Sequence, residues 1–166
     1  QLHTQLETTT LYVTHDQEEA MTLSSRIALM NKGEFIQIGS PSQIYETPIN
    51  RYTADFFGSI NFFDGEIISQ DQKTKKTIAK LQSCNSFIYG QSDQQFDTKD
   101  AVIIGVRPEK IVINMKKPLD NEVSVIEGKI EGLAYYGDRN LYRVRTEKHG
   151  IILASSQNFE RSELIK

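Results

Sequence analysis

The residues best able to do chemistry in this chain lie where a β-branched run gives way to a helix start. Residues 8–14 have the Thr, Val and Tyr content typical of a strand, and His15 follows at once. Asp16 stands three residues before Glu19, which is the spacing of a capping box. In open α/β sheets, ligands bind at the carboxyl ends of the strands. An imidazole in the turn that follows a strand can therefore reach an anionic group. His15 is therefore the candidate catalytic residue, and a histidine that only satisfies the turn is the alternative.

The elements that must position this histidine are short. The pattern predicts a helix over 17–24 and a hairpin of the runs 26–30 and 34–39, joined by a turn in which glycine supplies a positive φ. Ser40 predicts a second capping box and a second helix. An amphipathic helix is predicted over 50–58, with its apolar stripe packed in a core and a glycine cap at its end.

The pattern changes after residue 60, where short β-branched or aromatic runs alternate with polar turns. Strands spaced in this way, without a convincing helix, predict a small barrel or sandwich and a domain boundary near residues 59 and 60. The predicted strands are 62–68, 75–81, 87–89, 101–106, 111–114, 123–133, 141–146 and 151–154.

Composition narrows the classes of function. The net charge is −3 with acidic and basic residues interspersed, so there is no basic footprint for a nucleic acid. No apolar stretch approaches the roughly 20 residues that a membrane span needs. Cys84 is the only cysteine, which excludes an internal disulfide. His3 and His149 are predicted to be surface residues, and scattered histidines predict no metal site.

Several segments of the first part carry a family resemblance. Residues 12–21, 25–33 and 37–41 resemble the switch-histidine region of ABC transporter ATPases, and 44–48 and 51–58 resemble the importer subgroup for polyamines, maltose and similar solutes. The chain has no glycine-rich loop ending in Gly-Lys-Ser/Thr, no Leu-Ser-Gly-Gly-Gln signature and no apolar strand ending in Asp-Glu. The resemblance therefore implies a fragment of an ATP-binding subunit, which is expected to be inactive alone.

The second part is similar to the accessory half of the polyamine importer ATPases. Residues 105–111 match their Arg-Pro-Glu motif, and 134–138 with 142–145 match a later strand pair. The fold expected from the resemblance is an α+β remnant of an ABC-type nucleotide-binding domain over 1–58, followed by an all-β, OB-like barrel domain over 59–166. Relatives continue with a strand that closes the barrel, so this domain is expected to be truncated at its C-terminus.

The resemblance also implies a role for the candidate histidine. In the complete subunit, which would use ATP and Mg²⁺ and hydrolyse ATP to power import of putrescine or spermidine, His15 would contact the γ-phosphate. No bound cofactor and no metal site are expected in the fragment. The implied partners are a second copy of the ATPase subunit, transmembrane permease subunits and, indirectly, a solute-binding protein, with the subunit peripheral at the cytoplasmic face of the inner membrane.

Two other readings of the second part stay open. It can be a non-enzymatic regulatory module, in which the barrel is the working part. It can also be an OB-like nucleic-acid-binding domain, which the acidic balance disfavours, with candidate contacts from Tyr135, Tyr136, Tyr142, Arg143 and Arg145.

Arg107 also allows two interpretations. An arginine before a proline at a strand end can hold a carboxylate or phosphate bidentately. The interpretation we favour is that it pairs with a nearby acid such as Glu109 or Asp138.

Overall fold

The chain divides into two compact units, Gln1–Gly58 and Ser59–Lys166. The computed structural model describes residues 9–83, 86–116, 118 and 123–158. His3 and Cys84, and the predictions made for them, lie outside the described residues.

The described residues of the first unit, 9–58, contain an antiparallel hairpin and three short helices. No helix in the described residues is long and apolar enough to cross a membrane. In chain order, the elements are α1 (Gln17–Leu23), β1 (Ile27–Asn31), β2 (Glu34–Gly39), α2 (Pro41–Glu46) and α3 (Arg51–Phe56).

Local sequence signals account for the turn and cap that join these elements. Lys32 and Gly33, at the hairpin turn, have φ values of 50° and 86°. Two positive φ angles match the twist of the flanking strands. Ser40 Oγ accepts the N–H of Gln43 at 3.2 Å, and the Gln43 side chain accepts the N–H of Ser40 at 2.9 Å. The predicted hairpin and second capping box are confirmed.

The core of the first unit forms between the hairpin and the helices. Ala20 and Met21 of α1 pack against this core, whereas Leu23 is exposed. The buried cluster consists of Ile27, Leu29, Ile44 and Phe57.

The predicted strand over 8–14 is wrong for the part that the structure describes. Residues 9–14 have no regular secondary structure, and the side chains of Leu11 and Val13 are 91% and 88% exposed. A strand is stabilised by a ladder of hydrogen bonds to a neighbour. No described strand pairs with this run, so its β propensity alone does not form one.

In the part that the structure describes, the second unit consists of strands and one short 3₁₀ turn. One sheet has the order β5-β4-β3-β6 and the other the order β7-β8-β9, and all neighbouring strands are antiparallel. The elements are β3 (Asn61–Gln70), β4 (Lys76–Leu81), β5 (Phe87–Gln91), β6 (Ala101–Val106), the 3₁₀ turn (Pro108–Lys110), β7 (Gly128–Tyr135), β8 (Arg139–Thr146) and β9 (Gly150–Gln157).

Side chains join the two sheets of this unit. Phe63, Leu81 and Ile152 form the buried cluster between them. Asn61, which is buried on β3, bonds to both the N–H and the C=O of Leu153 on β9, each at 2.8 Å. Within the described residues, no strand ladder runs from one sheet to the other. The predicted fold class, an α+β part followed by an all-β OB-like domain, is confirmed.

The predicted strand over 111–114 is wrong. Pro108 begins a 3₁₀ turn that closes with a bond from the N–H of Ile111 to the C=O of Pro108 at 3.2 Å. Ile111 packs against the core of the unit, whereas the next side chain, Val112, is 79% exposed. No described strand forms a hydrogen-bonded ladder with this run, so its apolar residues follow an irregular path. The strand predicted over 123–133 begins only at Gly128.

Candidate functional site

His15 is exposed and lies at a bend immediately before α1. The helix begins at Gln17 because Asp16 caps it: Asp16 Oδ1 accepts the N–H groups of Glu18 and Glu19 at 2.8 and 3.1 Å. A capping carboxylate satisfies N–H groups that have no partner within the helix. His15 therefore stands one residue before a fixed helix start.

The other half of the predicted capping box is wrong. In a capping box, the Glu19 side chain would accept the N–H of Asp16. Instead, Thr14 Oγ1 accepts that N–H at 2.9 Å. Glu19 Oε2 accepts the hydroxyl of Thr14 at 2.6 Å and the phenol of Tyr12 at 3.1 Å. Glu19 is thus bonded to the segment that leads to His15.

The Glu19 carboxylate also sets the electrostatics of this segment. It raises the pKa of Tyr12, first by accepting the phenolic hydrogen bond and then by its negative charge. Thr14 and Glu19 are the residues that sequence reasoning missed in this role. Thr14 could have been identified by one signal, a hydroxyl residue two positions before the cap, where it can bind the cap's own N–H.

The arrangement around His15 fits one contact to an anionic oxygen. The imidazole makes no hydrogen bond to the described residues, and a neutral imidazole can donate one N–H. Among the described ranges, no group of three or more His, Cys, Asp or Glu residues could hold a metal ion. An exposed imidazole at this bend can therefore donate one hydrogen bond to an anionic group.

His149 is not the surface histidine predicted from the sequence. It is half-buried, and its ring contacts Phe63 edge-on at a centroid distance of 5.4 Å. A hydrogen bond of 3.0 Å joins Nδ1 to Ser83 Oγ. Burial lowers the pKa of His149, and the charge of Lys148 lowers it further. His149 has a structural position in the second unit.

Arg107 is buried, although an arginine is rarely buried without partners. Its Nη1 donates to the C=O of Ser59 at 3.3 Å. Asp138, one of the two acids expected to pair with Arg107, forms an ion pair with Arg139 at 3.3 Å. Arg107 therefore ties the end of β6 to the start of the unit.

The aromatic and basic candidates for nucleic-acid contact lie on β7, β8 and the turn between them. Tyr135 and Tyr136 are exposed, but the guanidinium of Arg139 lies 5.2 Å from the centre of the Tyr136 ring. Arg145 forms an ion pair with Glu131. The Tyr136 ring and the Arg145 guanidinium thus already have partners within the chain.

Comparison with known proteins gives consistent matches. Residues 104–165 match the TOBE domain family. The chain is 37% identical over 153 residues to the putrescine transport ATP-binding protein PotG of Escherichia coli, covering 92% of this chain and 40% of that protein. Spermidine/putrescine import ATP-binding proteins PotA are similar, at 38% identity over 148 residues in Protochlamydia amoebophila (87% of this chain, 38% of the relative) and 39% over 151 residues in Thermobifida fusca (90% and 38%). The chain spans about two-fifths of the length of these relatives.

Proposed function

We infer that this chain, a relative of the C-terminal part of the ATP-binding subunits of polyamine ABC importers, supplies the switch histidine and the accessory domain of such a subunit. The observation that carries this inference is the similarity over about nine-tenths of the chain to import ATP-binding proteins. The position of His15 at an open bend before a capped helix supports it.

His15 is the residue of this chain that touches the reacting group. Bound ATP with Mg²⁺ supplies the phosphoryl group to be transferred and neutralises part of its charge. The His15 imidazole donates a hydrogen bond to a γ-phosphate oxygen and helps to hold the attacking water in line. His15 is thus a positioning and charge-stabilising donor rather than the general base.

The second unit is the accessory domain of the same subunit. The relatives import or transport putrescine and spermidine, so we assign polyamines as the solute. The complete subunit works with a second copy of itself, with transmembrane permease subunits and with a solute-binding protein, at the cytoplasmic face of the membrane.

The 166-residue chain alone is expected to be inactive. It carries His15 but no Gly-Lys-Ser/Thr loop, so no nest of backbone N–H groups binds the α- and β-phosphates. Isothermal titration of the chain with Mg–ATP is expected to show no binding at about micromolar concentration. Binding of that strength would contradict the assignment of the phosphate site to another part of the subunit.

Uptake measurements test the proposed function directly. Cells that lack the gene for the complete subunit are expected to lose energy-dependent uptake of labelled putrescine and spermidine, and a plasmid copy is expected to restore it. Uptake of a labelled amino acid serves as the control for general energy supply. Unchanged polyamine uptake in the deletion strain would overturn the assignment of polyamines as the solute. A purified complete transporter that does not hydrolyse ATP would overturn the proposed ATPase activity.

A further inference from the structure

Four hydrogen bonds connect the residues on either side of His15 into a closed circuit. Thr14 Oγ1 donates to Glu19 Oε2 at 2.6 Å and accepts the N–H of Asp16 at 2.9 Å. Asp16 Oδ1 in turn accepts the N–H groups of Glu18 and Glu19 at 2.8 and 3.1 Å. The circuit therefore runs from Thr14 across His15 to Asp16, into the first turn of α1 and back through Glu19.

The hydroxyl of Thr14 is the centre of this circuit. It has one proton, which goes to the carboxylate, and its lone pairs remain for the Asp16 N–H. A hydroxyl bonded to an ionised carboxylate makes a short, charge-assisted bond, which is about twice as strong as a neutral one. The bond is partly buried, so water competes with it less than at a fully exposed site.

The His15 side chain makes none of these four hydrogen bonds, although its backbone lies between Thr14 and Asp16. Its backbone is spanned by the bond from Asp16 N–H to Thr14 Oγ1, which fixes the two peptide groups on either side of its Cα. The imidazole itself stays open to a ligand. His15 thus combines a hydrogen-bonded backbone turn with an imidazole that makes no hydrogen bond to the described residues.

We propose that Thr14 and Glu19 are positioning residues for His15, and that their hydrogen bond fixes the direction in which the imidazole meets the γ-phosphate. This inference rests on the proposed function. Neither side chain touches the nucleotide, and both act through the backbone of His15. Pre-organised donors contribute to the rate because they need no rearrangement during the reaction.

Kinetics of the complete, assembled transporter test the proposal. Thr14→Val keeps the shape of the side chain but removes the hydroxyl, and a displacement of about 1 Å in a catalytic group can cost about 100-fold. Thr14→Val and Glu19→Ala are therefore expected to lower kcat about 10- to 100-fold, with the KM for ATP changed less than about threefold. Thr14→Ser, which keeps the hydroxyl, is expected to restore most of kcat.

Thr22→Val is the matched control. Thr22 is exposed on the same helix, and its hydroxyl donates to the C=O of Glu18 rather than to the His15 segment. Its kcat is expected to stay near wild type. A kcat loss in Thr14→Val that Thr14→Ser does not rescue would overturn the positioning role, and so would a normal kcat in Thr14→Val.

A spectroscopic measurement on this chain reports the Glu19 contacts without ATP. Glu19 raises the pKa of Tyr12 through the hydrogen bond and its charge. NMR titration of labelled tyrosines is therefore expected to show that Glu19→Gln lowers the pKa of Tyr12, whereas Thr22→Val leaves it unchanged. An unchanged pKa in Glu19→Gln would contradict the placement of Glu19 in the circuit.

The proposed function of His15 and the positioning role of Thr14 and Glu19 are tested by different variants. If His15→Ala abolishes hydrolysis while Thr14→Val and Glu19→Ala do not lower it, the positioning proposal is wrong and the proposed function stands. If His15→Ala hydrolyses ATP normally, the proposed function of His15 is wrong whatever the other variants do.

Discussion

Thr53 on α3 is fully buried, and its hydroxyl oxygen has no hydrogen-bond partner within the described residues. An unsatisfied buried polar group costs about 1–3 kcal/mol. Thr53→Val replaces the hydroxyl by a methyl group of similar size, so it is expected to raise the free energy of unfolding of the first unit by about 1 kcal/mol. Denaturant unfolding followed by circular dichroism measures this. Thr22→Val, at an exposed site, is the control, and a lower stability of Thr53→Val than of wild type would contradict the expectation.

His149 gives the second unit a predictable pH dependence. Its pKa is lowered below the ordinary value of 6.5, by burial and then by the charge of Lys148. As the pH drops below 6.5, His149 is protonated in the unfolded chain before it is protonated in the folded chain. The free energy of unfolding therefore falls as the pH drops from 6.5 through the folded pKa. Above pH 6.5, His149 does not lower the stability in this way.

The pH dependence is measured against a variant that does not titrate. His149→Gln keeps a polar group that can bond to Ser83, the partner of the imidazole. The difference in melting temperature, wild type minus His149→Gln, is expected to fall as the pH is lowered from about 7.5 to about 5. A difference that stays constant or rises over this range would contradict the assignment.

Asn61 joins elements that are far apart in the sequence. Its Nδ2 donates to the C=O groups of Val106 and Leu153, at 3.1 and 2.8 Å, and its Oδ1 accepts the N–H of Leu153 at 2.8 Å. These bonds tie β3 to β6 in its own sheet and to β9 in the other sheet. They satisfy backbone groups at the junction of the two sheets.

Asn61→Ala is expected to lower the free energy of unfolding of the second unit by about 2–4 kcal/mol, because buried backbone groups lose their hydrogen-bond partners. Asn140→Ala is the matched control, since the Asn140 amide bonds at an exposed site to Asn158. Urea unfolding of both variants measures the difference. Equal stabilities for the two variants would show that the Asn61 bonds do not hold the sheets together.

The structural elements that were predicted well depend on neighbours in the sequence. The Lys32 and Gly33 turn and the Ser40 cap are set by residues within four positions, so the sequence alone predicts them. The strand over 8–14 and the strand over 111–114 were wrong because a strand needs a partner that no local pattern provides. The same holds for the bonds of Asn61, whose partners lie 45 and 92 positions away.

The candidate site was predicted only in part, for a related reason. The position of His15 before a capped helix follows from local spacing, and Asp16 caps the helix as expected. The bond of Glu19 to Thr14 could not be deduced from spacing. The same residues at the same spacing allow Glu19 to accept either the N–H of the cap, as in a capping box, or a hydroxyl of the preceding segment. Only the three-dimensional path of residues 12–14 decides between them.

At the scale of the whole molecule, the chain has two units, and each contains its own buried cluster. The first unit carries His15 at an open bend, and the second is an all-β unit that matches the TOBE domain family over residues 104–165. The resemblance to the C-terminal part of polyamine importer ATP-binding subunits, inferred from sequence motifs, is confirmed by the matched relatives. We propose that His15 of this chain serves ATP hydrolysis in the complete subunit.

The most direct test of that claim is the ATPase rate of His15→Ala in the complete, assembled transporter. Loss of one pre-organised donor costs about 100- to 1000-fold in rate, so we expect a loss of that size with binding of labelled ATP nearly unchanged. His149→Gln, which alters a histidine of the second unit, is expected to hydrolyse ATP normally. A His15→Ala transporter that keeps half of the wild-type rate would contradict the account.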